Sequence, residues 1–195
     1  MNSDKKYEEL QSKLSAIPGI SKRGAEKIIN YFVEYGKTYT DSLINSINDF
    51  QNTHTKCILC NNHEQTSICS ICEKRKNSKK LMLVVEASDI KKFETLEIYN
   101  GKYFVLGYLL DGNKKNKYSD DLIQKLKTSI NQVKEITIGW PLSIQGQYTL
   151  NYIKSLISDK NTQLFQLMTG VPVNATIDYV DPITLKESLE NKKEI

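Results

Sequence analysis

Long apolar segments are missing from this chain of 195 residues. No uninterrupted run approaches the roughly 20 apolar residues that a membrane-spanning helix needs. The segment Met1–Leu10 is charged and polar, which is unlike a secretory signal. We therefore expect a cytoplasmic protein, in a reducing environment that keeps cysteines free of disulfides.

Two patterns typical of phosphate chemistry are also missing. The chain has no Gly-x4-Gly-Lys-Ser/Thr loop, so nothing predicts a cradle for nucleotide phosphates. It has no Asp-x-Asp pair either, although phosphoryl-transfer sites commonly use such acids to hold Mg²⁺. The formal net charge of +4 is mild, so any contact with a nucleic acid must come from a local basic patch.

The four cysteines, by contrast, lie close together as two Cys-x2-Cys pairs. They are Cys57, Cys60, Cys69 and Cys72, in a segment with few large apolar side chains. Each pair can present two thiolates to one tetrahedral ion, which predicts a closed structural zinc site with one ion per chain. The alternatives are unrelated buried thiols, an iron–sulfur cluster, a redox dithiol, or His63 in place of one thiolate.

The apolar pattern predicts helices first and then an alternation of strands and helices. The helical stretch 1–50 is interrupted at Pro18-Gly19 and again at Gly36, which suits the left-handed position after a helix. Strands are predicted at Leu81–Val85, Tyr103–Leu110, Glu135–Ile138, Gln163–Met168 and Thr176–Val180. Helices are predicted at 89–99, 122–133, 147–158 and from Thr184. This alternation predicts an α/β fold with a parallel or mostly parallel sheet between helices.

The turn within Ile17–Ala25 resembles a helix-hairpin-helix motif. In that motif, backbone N–H groups at a helix N-terminus bind a DNA phosphate without reading sequence. Gly19 would shape the turn, and Lys22, Arg23 and Lys27 would add positive charge. The motif usually has a second glycine where this chain has a serine, and a hairpin that merely packs two helices is the alternative.

Taken in order, the blocks of this sequence resemble the bacterial recombination mediator family RecR over nearly the whole chain. The matching blocks are Ile17-Pro18-Gly19, the four cysteines, Leu83–Glu86, Gly101–Gly107, Gly170–Val173, Ile177–Asp181 and Thr184-Leu185. The resemblance implies a helix-hairpin-helix domain at 1–52, a four-cysteine zinc finger at 53–80, a Toprim domain at 81–165, and a C-terminal Walker B-like strand with a helix at 166–195.

The resemblance also implies a function. The family takes part in recombinational DNA repair after DNA damage, as a ring-shaped DNA-binding clamp made of four identical chains. It acts with RecO and RecF and helps load recombinase on gapped DNA. A cytoplasmic, nucleoid-associated location would follow.

The departures from catalytic Toprim enzymes concern their acidic residues. Glu86 fits the first acidic position, but Pro141 and Ser143 stand where aspartates would be, and Gln145 and Gln147 replace two glutamates. One carboxylate holds Mg²⁺ poorly, so no enzymatic activity is expected. Glu86 is then either a partner contact or a structural acceptor. A degenerate Toprim nuclease or primase, and an adaptor that binds only proteins, are the rival hypotheses.

Four further groups have two interpretations each. Asp181 is predicted to cap a helix beginning at Pro182 rather than to bind a nucleotide. Trp140 is predicted to pack in the core, with base stacking as the alternative. The basic side chains after the cysteines are predicted to offset the negative charge of zinc with four thiolates as well as to face phosphates; they are Lys74, Arg75, Lys76, Lys79 and Lys80. The three lysines Lys114, Lys115 and Lys117 either belong to a solvated loop or contact DNA inside a ring.

Overall fold

The structure is a computed structural model that describes residues 2–112, 117–141, 143–159, 161–167, 176 and 179–190. The chain divides between His54 and Thr55 into two compact units. No helix in the described ranges is both long enough and apolar enough to cross a membrane.

The first unit is a pair of helices, α1 (Asn2–Ser15) and α2 (Lys22–Thr53). Ser21 caps α2, because its hydroxyl oxygen accepts a 3.0 Å hydrogen bond from the Gly24 N–H. The helical geometry of α2 is broken at Gly36, which has φ 74° and ψ −175°. The helix end predicted at Gly36 is confirmed, with the positive φ that suits glycine, and a second helical segment begins directly after it.

The second unit begins with the cysteine module. A short antiparallel hairpin pairs β1 (Thr55–Lys56) with β2 (His63–Glu64), and the one-turn helix α3 (Ser70–Lys74) follows. Cys57 and Cys60 lie in the loop that joins the two strands, Cys69 caps the N-terminus of α3, and Cys72 lies within α3. Little regular structure is present, so the four side chains have to hold the module together.

A four-stranded parallel sheet makes up the rest of the second unit. Its strands are β3 (Lys80–Val84), β4 (Lys102–Val105), β5 (Glu135–Ile138) and β6 (Gln163–Gln166), in the order β4-β3-β5-β6. Each neighbouring pair is parallel. The helices are α4 (Ala87–Thr95), α5 (Asp120–Asn131), α6 (Ile144–Leu156) and α7 (Pro182–Glu190). The predicted α/β class with a parallel sheet is confirmed.

Strand β3 is buried on both faces of the sheet, as its continuous apolar run predicts. Leu81 and Leu83 belong to one hydrophobic core, while Met82 and Val84 belong to another. Successive side chains of a strand point to opposite faces, so the two cores lie on the two sides of the sheet. The first core includes side chains of α5 and α6, and the second includes Ile90 of α4.

Two elements are shorter than predicted. Strand β4 ends at Val105 rather than Leu110, and Gly107 soon afterwards has φ +90°, which turns the chain. Helix α4 ends at Thr95 rather than at residue 99, and Glu97 beyond it has φ 53°. In both places a left-handed residue ends the element, and apolar periodicity alone does not reveal this conformation.

The predicted strand Thr176–Val180 is wrong at the positions that the structure describes. The Tyr179 N–H donates to the Thr176 carbonyl at 3.0 Å, which closes a turn rather than extending the chain. Tyr179 is also 90% exposed, so it has no sheet to pack against. Residues 177 and 178 and the block Gly170–Val173 lie outside the described residues.

Candidate metal centre and nucleic-acid interface

The four cysteines converge on one point. Their Sγ atoms all lie within 4.8 Å of one another, and all four residues are buried. Among the described residues this is the one group of histidine, cysteine and acidic side chains arranged to hold a metal ion. His63, the predicted alternative ligand, is exposed and outside the group.

The spacing within this cysteine cluster fits a tetrahedral ion. A metal–sulfur bond of about 2.3 Å places tetrahedral sulfurs about 3.8 Å apart. Cys60 Sγ and Cys69 Sγ are 3.5 Å apart, close to that value. The Cys69 N–H donates to Cys57 Sγ at 3.3 Å, and the Cys72 N–H donates to Cys69 Sγ at 3.4 Å. Such backbone donors stabilise thiolates, the ionised form that binds metal.

The electrostatics of the cysteine cluster also favour a cation. The hydrogen bond from Cys60 lowers the pKa of the Cys69 thiol, while the same contact raises the pKa of Cys60. Ionisation of more than one of these closely packed thiols is opposed by repulsion between like charges. A divalent cation would compensate the charge of further thiolates and allow all four to ionise.

The first cysteine pair is joined to the edge of the sheet. The Val105 N–H at the end of β4 donates to the Cys60 carbonyl at 2.8 Å. The Asn61 side-chain amide returns a 3.3 Å hydrogen bond to the Val105 carbonyl. Since β4 is an edge strand, the metal module covers backbone groups that would otherwise lack a neighbouring strand.

Two of the basic residues after the cysteines, Arg75 and Lys80, pair with carboxylates. Arg75 forms a bidentate ion pair with Glu94 at 2.9 and 2.7 Å, and Glu94 also accepts a 2.6 Å hydrogen bond from Tyr103. Lys80 pairs with Glu135 at 3.1 Å. Arg75 and Lys80 are therefore each paired with a carboxylate, and phosphate contact by either of them stays a prediction.

The turn between α1 and α2 has the conformation that the sequence predicts. The Ile20 N–H donates to the Ile17 carbonyl at 3.0 Å, with Pro18 second and Gly19 third in the turn. Gly19 has φ +86°, which side chains with a Cβ resist. Ser21, in place of the second glycine, caps α2 by accepting from the Gly24 N–H. The serine therefore begins the helix instead of disrupting the motif.

The three cationic side chains of the turn are exposed. Lys22, Arg23 and Lys27 lie in the first turns of α2, where the helix dipole adds partial positive charge. None of the ion pairs found among the described residues involves them. The hairpin therefore presents three exposed cations at the N-terminus of α2.

Glu86 lies at the carboxyl end of β3, and its side chain is exposed. Its carboxylate accepts a 3.0 Å hydrogen bond from Ser88, and its N–H donates to the Asp89 carboxylate at 3.0 Å. It also borders a cleft of about 590 Å³ shared with Lys56, Lys125 and other residues. Both interpretations of Glu86, as a partner contact and as a structural acceptor, stay open.

The positions that the resemblance aligns with the Toprim acids have no acids to add. Ser143 caps α6 by accepting a 2.9 Å hydrogen bond from the Gly146 N–H. Gln145 and Gln147 are exposed on that helix, and Gln147 bonds to Asn151 at 3.3 Å. No carboxylate cluster able to hold a metal is found around Glu86 in the described ranges.

Two further predictions are confirmed. Asp181 caps α7, because its carboxylate accepts from the Thr184 N–H at 3.0 Å and from the Thr184 hydroxyl at 2.6 Å. Trp140 is buried in the first core, and its Nε1–H donates to the Gly146 carbonyl at 3.2 Å. Of the predicted loop lysines, Lys117 is exposed, and Lys114 and Lys115 lie outside the described residues.

Sequence reasoning missed a cluster of tyrosines on α2. Tyr31 and Tyr35 stack with their ring centroids 4.1 Å apart, and Tyr39 approaches Tyr31 to 5.3 Å. The sequence does contain a pattern that indicates such a cluster, because three tyrosines recur at intervals of four residues. Tyrosine at helical spacing is common in cores, however, and only the structure places these rings at the surface.

Comparison with known proteins gives consistent similarities. The family model described as "RecR, C-terminal" matches residues 170–193. The Recombination protein RecR of Mycoplasmopsis pulmonis is 37% identical over 180 residues, which covers 92% of this chain and 94% of the relative. The Recombination protein RecR of Ureaplasma urealyticum is 30% identical over 199 residues, which covers 100% of this chain and 99% of the relative. That of Bifidobacterium animalis subsp. lactis is 28% identical and covers 98% of each chain.

Proposed function

Since the chain belongs to the RecR family of recombination proteins, we propose that it is a non-enzymatic DNA-binding clamp in recombinational DNA repair. It binds DNA through phosphates, without sequence preference. It assembles as a ring of four chains and acts with RecO and RecF to help load recombinase on gapped DNA. The observation that carries this proposal is the exposed hairpin with Gly19, Lys22, Arg23 and Lys27 at the N-terminus of α2.

Phosphate binding is the chemistry that this hairpin supports. A helix N-terminus offers outward-pointing backbone N–H groups, and the positive φ of Gly19 leaves the turn without a shielding side chain. Arg23 and Lys27 lie one helical turn apart, so they can contact successive phosphates of one strand. Such contacts position the protein on DNA but do not distinguish bases.

The metal proposed for the cysteine cluster is one structural Zn²⁺ per chain. Zn²⁺ is stable with four thiolates in tetrahedral geometry, and such a closed site leaves no position for a substrate. The chain's own residues support this choice through their sulfur spacing and backbone N–H donors. When bound, the ion would hold the module against the end of β4.

Assembly of several chains is supported by apolar surface on the helical unit. Val33 is 79% exposed, and Ile47 and Phe50 of the same helix are about half exposed. Large apolar side chains grouped on one helix favour protein contacts over solvent. Within the ring we assign Glu86 to contact with RecO, because its exposed carboxylate borders an open cleft.

The non-enzymatic part of the proposal follows from charge. Phosphoryl transfer with Mg²⁺ needs several carboxylates at one point, because Mg²⁺ gives up its hydration shell reluctantly. At this edge of the sheet Glu86 has serine and amide side chains in the corresponding positions, and Asp89 is occupied by the Glu86 N–H and by Lys92. The serine, amide and carboxylate side chains at these positions cap helices or lie at the surface, and they do not form a Mg²⁺ site.

A charge-reversal experiment tests DNA binding at the hairpin. Arg23→Glu with Lys27→Glu should weaken binding to duplexes of unrelated sequence equally and reduce the salt slope by about 2, since two phosphate contacts are lost. The control is Lys5→Glu with Lys6→Glu, which changes the same charge on exposed side chains in the first turns of α1. Fluorescence anisotropy at several salt concentrations measures both variants.

Equal loss of affinity in the two variants would mean that net charge rather than the hairpin binds DNA. Parental binding by Arg23→Glu with Lys27→Glu would reduce the hairpin to a packing element. Either result would contradict the proposed DNA site, whereas selective loss in the hairpin variant supports it.

A further inference from the structure

Five side chains follow one line along α2. Arg23, Lys27, Tyr31, Tyr35 and Tyr39 recur at intervals of four residues, and all five are exposed. Residues four apart are neighbours on a helix surface, so the two cations lead directly into Tyr31 and Tyr35, while Tyr39 follows the break at Gly36. We refer to Tyr31, Tyr35 and Tyr39 as the tyrosine cluster. Its members are 40%, 56% and 41% exposed.

The break at Gly36 gathers the tyrosine cluster. Eight residues of straight helix would separate Tyr31 and Tyr39 by about 12 Å along the axis. Their ring centroids are only 5.3 Å apart, nearly perpendicular at 74°. Tyr31 and Tyr35 stack at 4.1 Å with 26° between their planes. The rings therefore form one compact aromatic surface beside the hairpin cations.

The character of this surface differs from that of a subunit interface. Val33, the most exposed apolar residue of this part of α2, lies two residues from Tyr31 and thus on the opposite side of the helix. The tyrosine cluster is flanked by cations, and each ring carries a hydroxyl group. Phenols are neutral at physiological pH, and the contact with Tyr39 raises the pKa of Tyr31 further, so these rings do not repel phosphates.

We propose that the tyrosine cluster is a base-stacking platform for unpaired nucleotides of single-stranded DNA. Arg23 and Lys27 would hold the backbone while the rings receive bases, the combination that sequence-independent single-strand binding uses. This inference rests on the proposed DNA-binding function of the hairpin. It extends that function by naming single-stranded DNA as a ligand of the same helix face.

The geometry limits how bases stack. Tyr31 and Tyr35 already cover one face of each other, so no base enters between them. Bases stack instead on the ring faces that the contact between Tyr31 and Tyr35 leaves uncovered. Glu34 lies three residues beyond Tyr31 and adds one carboxylate at the border of this surface, against the two cations of Arg23 and Lys27.

Removal of two rings tests the inference in the full chain. Tyr31→Gln with Tyr35→Gln keeps helix-forming side chains but removes the aromatic faces. Affinity for labelled oligo(dT) should fall about tenfold or more, because stacking of each base on an aromatic ring accounts for such a factor. Affinity for a blunt duplex of the same length should be unchanged, since its bases are already stacked. The matched control, Tyr31→Phe with Tyr35→Phe, keeps the rings and should bind both DNAs like the parent.

The inference and the proposed function fail separately. If Tyr31→Gln with Tyr35→Gln binds oligo(dT) as tightly as the parent, the base-stacking platform is refuted. If Arg23→Glu with Lys27→Glu nevertheless loses duplex binding, the proposed DNA-binding function of the hairpin still holds. If the charge-reversal variant binds duplex DNA as tightly as the parent, DNA binding at the hairpin is refuted. The base-stacking platform, which rests on that binding, is then refuted as well. A change in molar mass of the glutamine variant, measured by light scattering, would assign the tyrosines to a subunit interface and also overturn the platform.

Discussion

Glu94 joins three segments of the second unit through one carboxylate. It receives two hydrogen bonds from Arg75, which follows the cysteine module, and one from Tyr103 in β4. The Arg75 guanidinium also donates to the Gly101 carbonyl at 2.9 Å. Burial opposes ionisation of Glu94, but the bonds from Arg75 and Tyr103 outweigh it and lower the pKa of the carboxyl. The network therefore requires a charged Glu94.

We expect Glu94→Gln to destabilise the second unit by about 2 kcal/mol, the usual loss when a partly buried charged hydrogen bond is broken. Because the folded-state pKa is lowered, this stabilisation is present above the ordinary glutamate pKa and is lost as the pH falls through the lowered value. Urea unfolding at several pH values should show the difference between parent and variant shrinking below about pH 4.

The control for this substitution is Glu9→Gln. Glu9 also pairs with a cation, Lys13, but both side chains are exposed on α1. Solvent screens such a pair, so its loss should leave the urea midpoint unchanged. Equal midpoints for the parent and Glu94→Gln at neutral pH would mean that the network contributes nothing to stability.

Two helices begin with the same local arrangement. Ser21 caps α2 and Ser143 caps α6, and in each helix the hydroxyl accepts from a glycine N–H three residues later. The surroundings of the two glycines differ. A Cβ at Gly24 would lie 3.4 Å from the Ser21 hydroxyl, in ordinary contact, whereas one at Gly146 would lie 2.6 Å from the Pro141 carbonyl and 2.9 Å from Trp140.

The same substitution should therefore have opposite effects at the two helix starts. Gly146→Ala forces apart backbone and a buried ring, which should cost about 1–3 kcal/mol. Gly24→Ala has room for its methyl group and should stabilise its helix by up to about 1 kcal/mol. Circular dichroism during thermal unfolding measures both, and Trp140 fluorescence reports the first. A Gly146→Ala protein as stable as the parent would show that the α6 start relaxes easily.

The two units of the whole molecule differ in what stabilises each of them. The second unit has hydrophobic cores on both faces of its sheet and the cysteine cluster at the end of β4. In the helical unit, Ala25 and Ile29 are the fully buried apolar residues among those described. Loss of the metal should therefore affect the second unit, which contains the four cysteines.

Cys72→Ser should abolish zinc binding and speed amide exchange at Val105, whose N–H bonds to Cys60. Exchange in α1 should stay at the parental rate. Elemental analysis and hydrogen-exchange mass spectrometry measure the two effects. His63→Ala is the matched control: it should keep one zinc per chain, because His63 lies outside the cysteine cluster. Absence of zinc from the parent purified without chelator would refute the metal assignment.

Features that depend on near neighbours could be derived from the sequence. The cysteine spacing predicted the cysteine cluster, the apolar run predicted a strand buried on both faces, and Asp181 before Pro182 predicted a helix cap. Each depends on a local geometry that a few adjacent residues specify. The positive φ values of Gly19 and Gly36 belong to the same class, since glycine is the residue that adopts them without strain.

Only the tertiary structure decided the features that need a distant partner. The ion pair of Arg75 with Glu94 and the contact of Cys60 with the end of β4 join residues well separated in the chain. The break at Gly36 brings Tyr39 onto Tyr31, which helical spacing alone would not do. Local propensity limits the conformation of a few residues, whereas packing decides which charges are paired and which rings face solvent. That is why Arg75 after the cysteines proved to be paired with a carboxylate and the tyrosines proved to be surface residues.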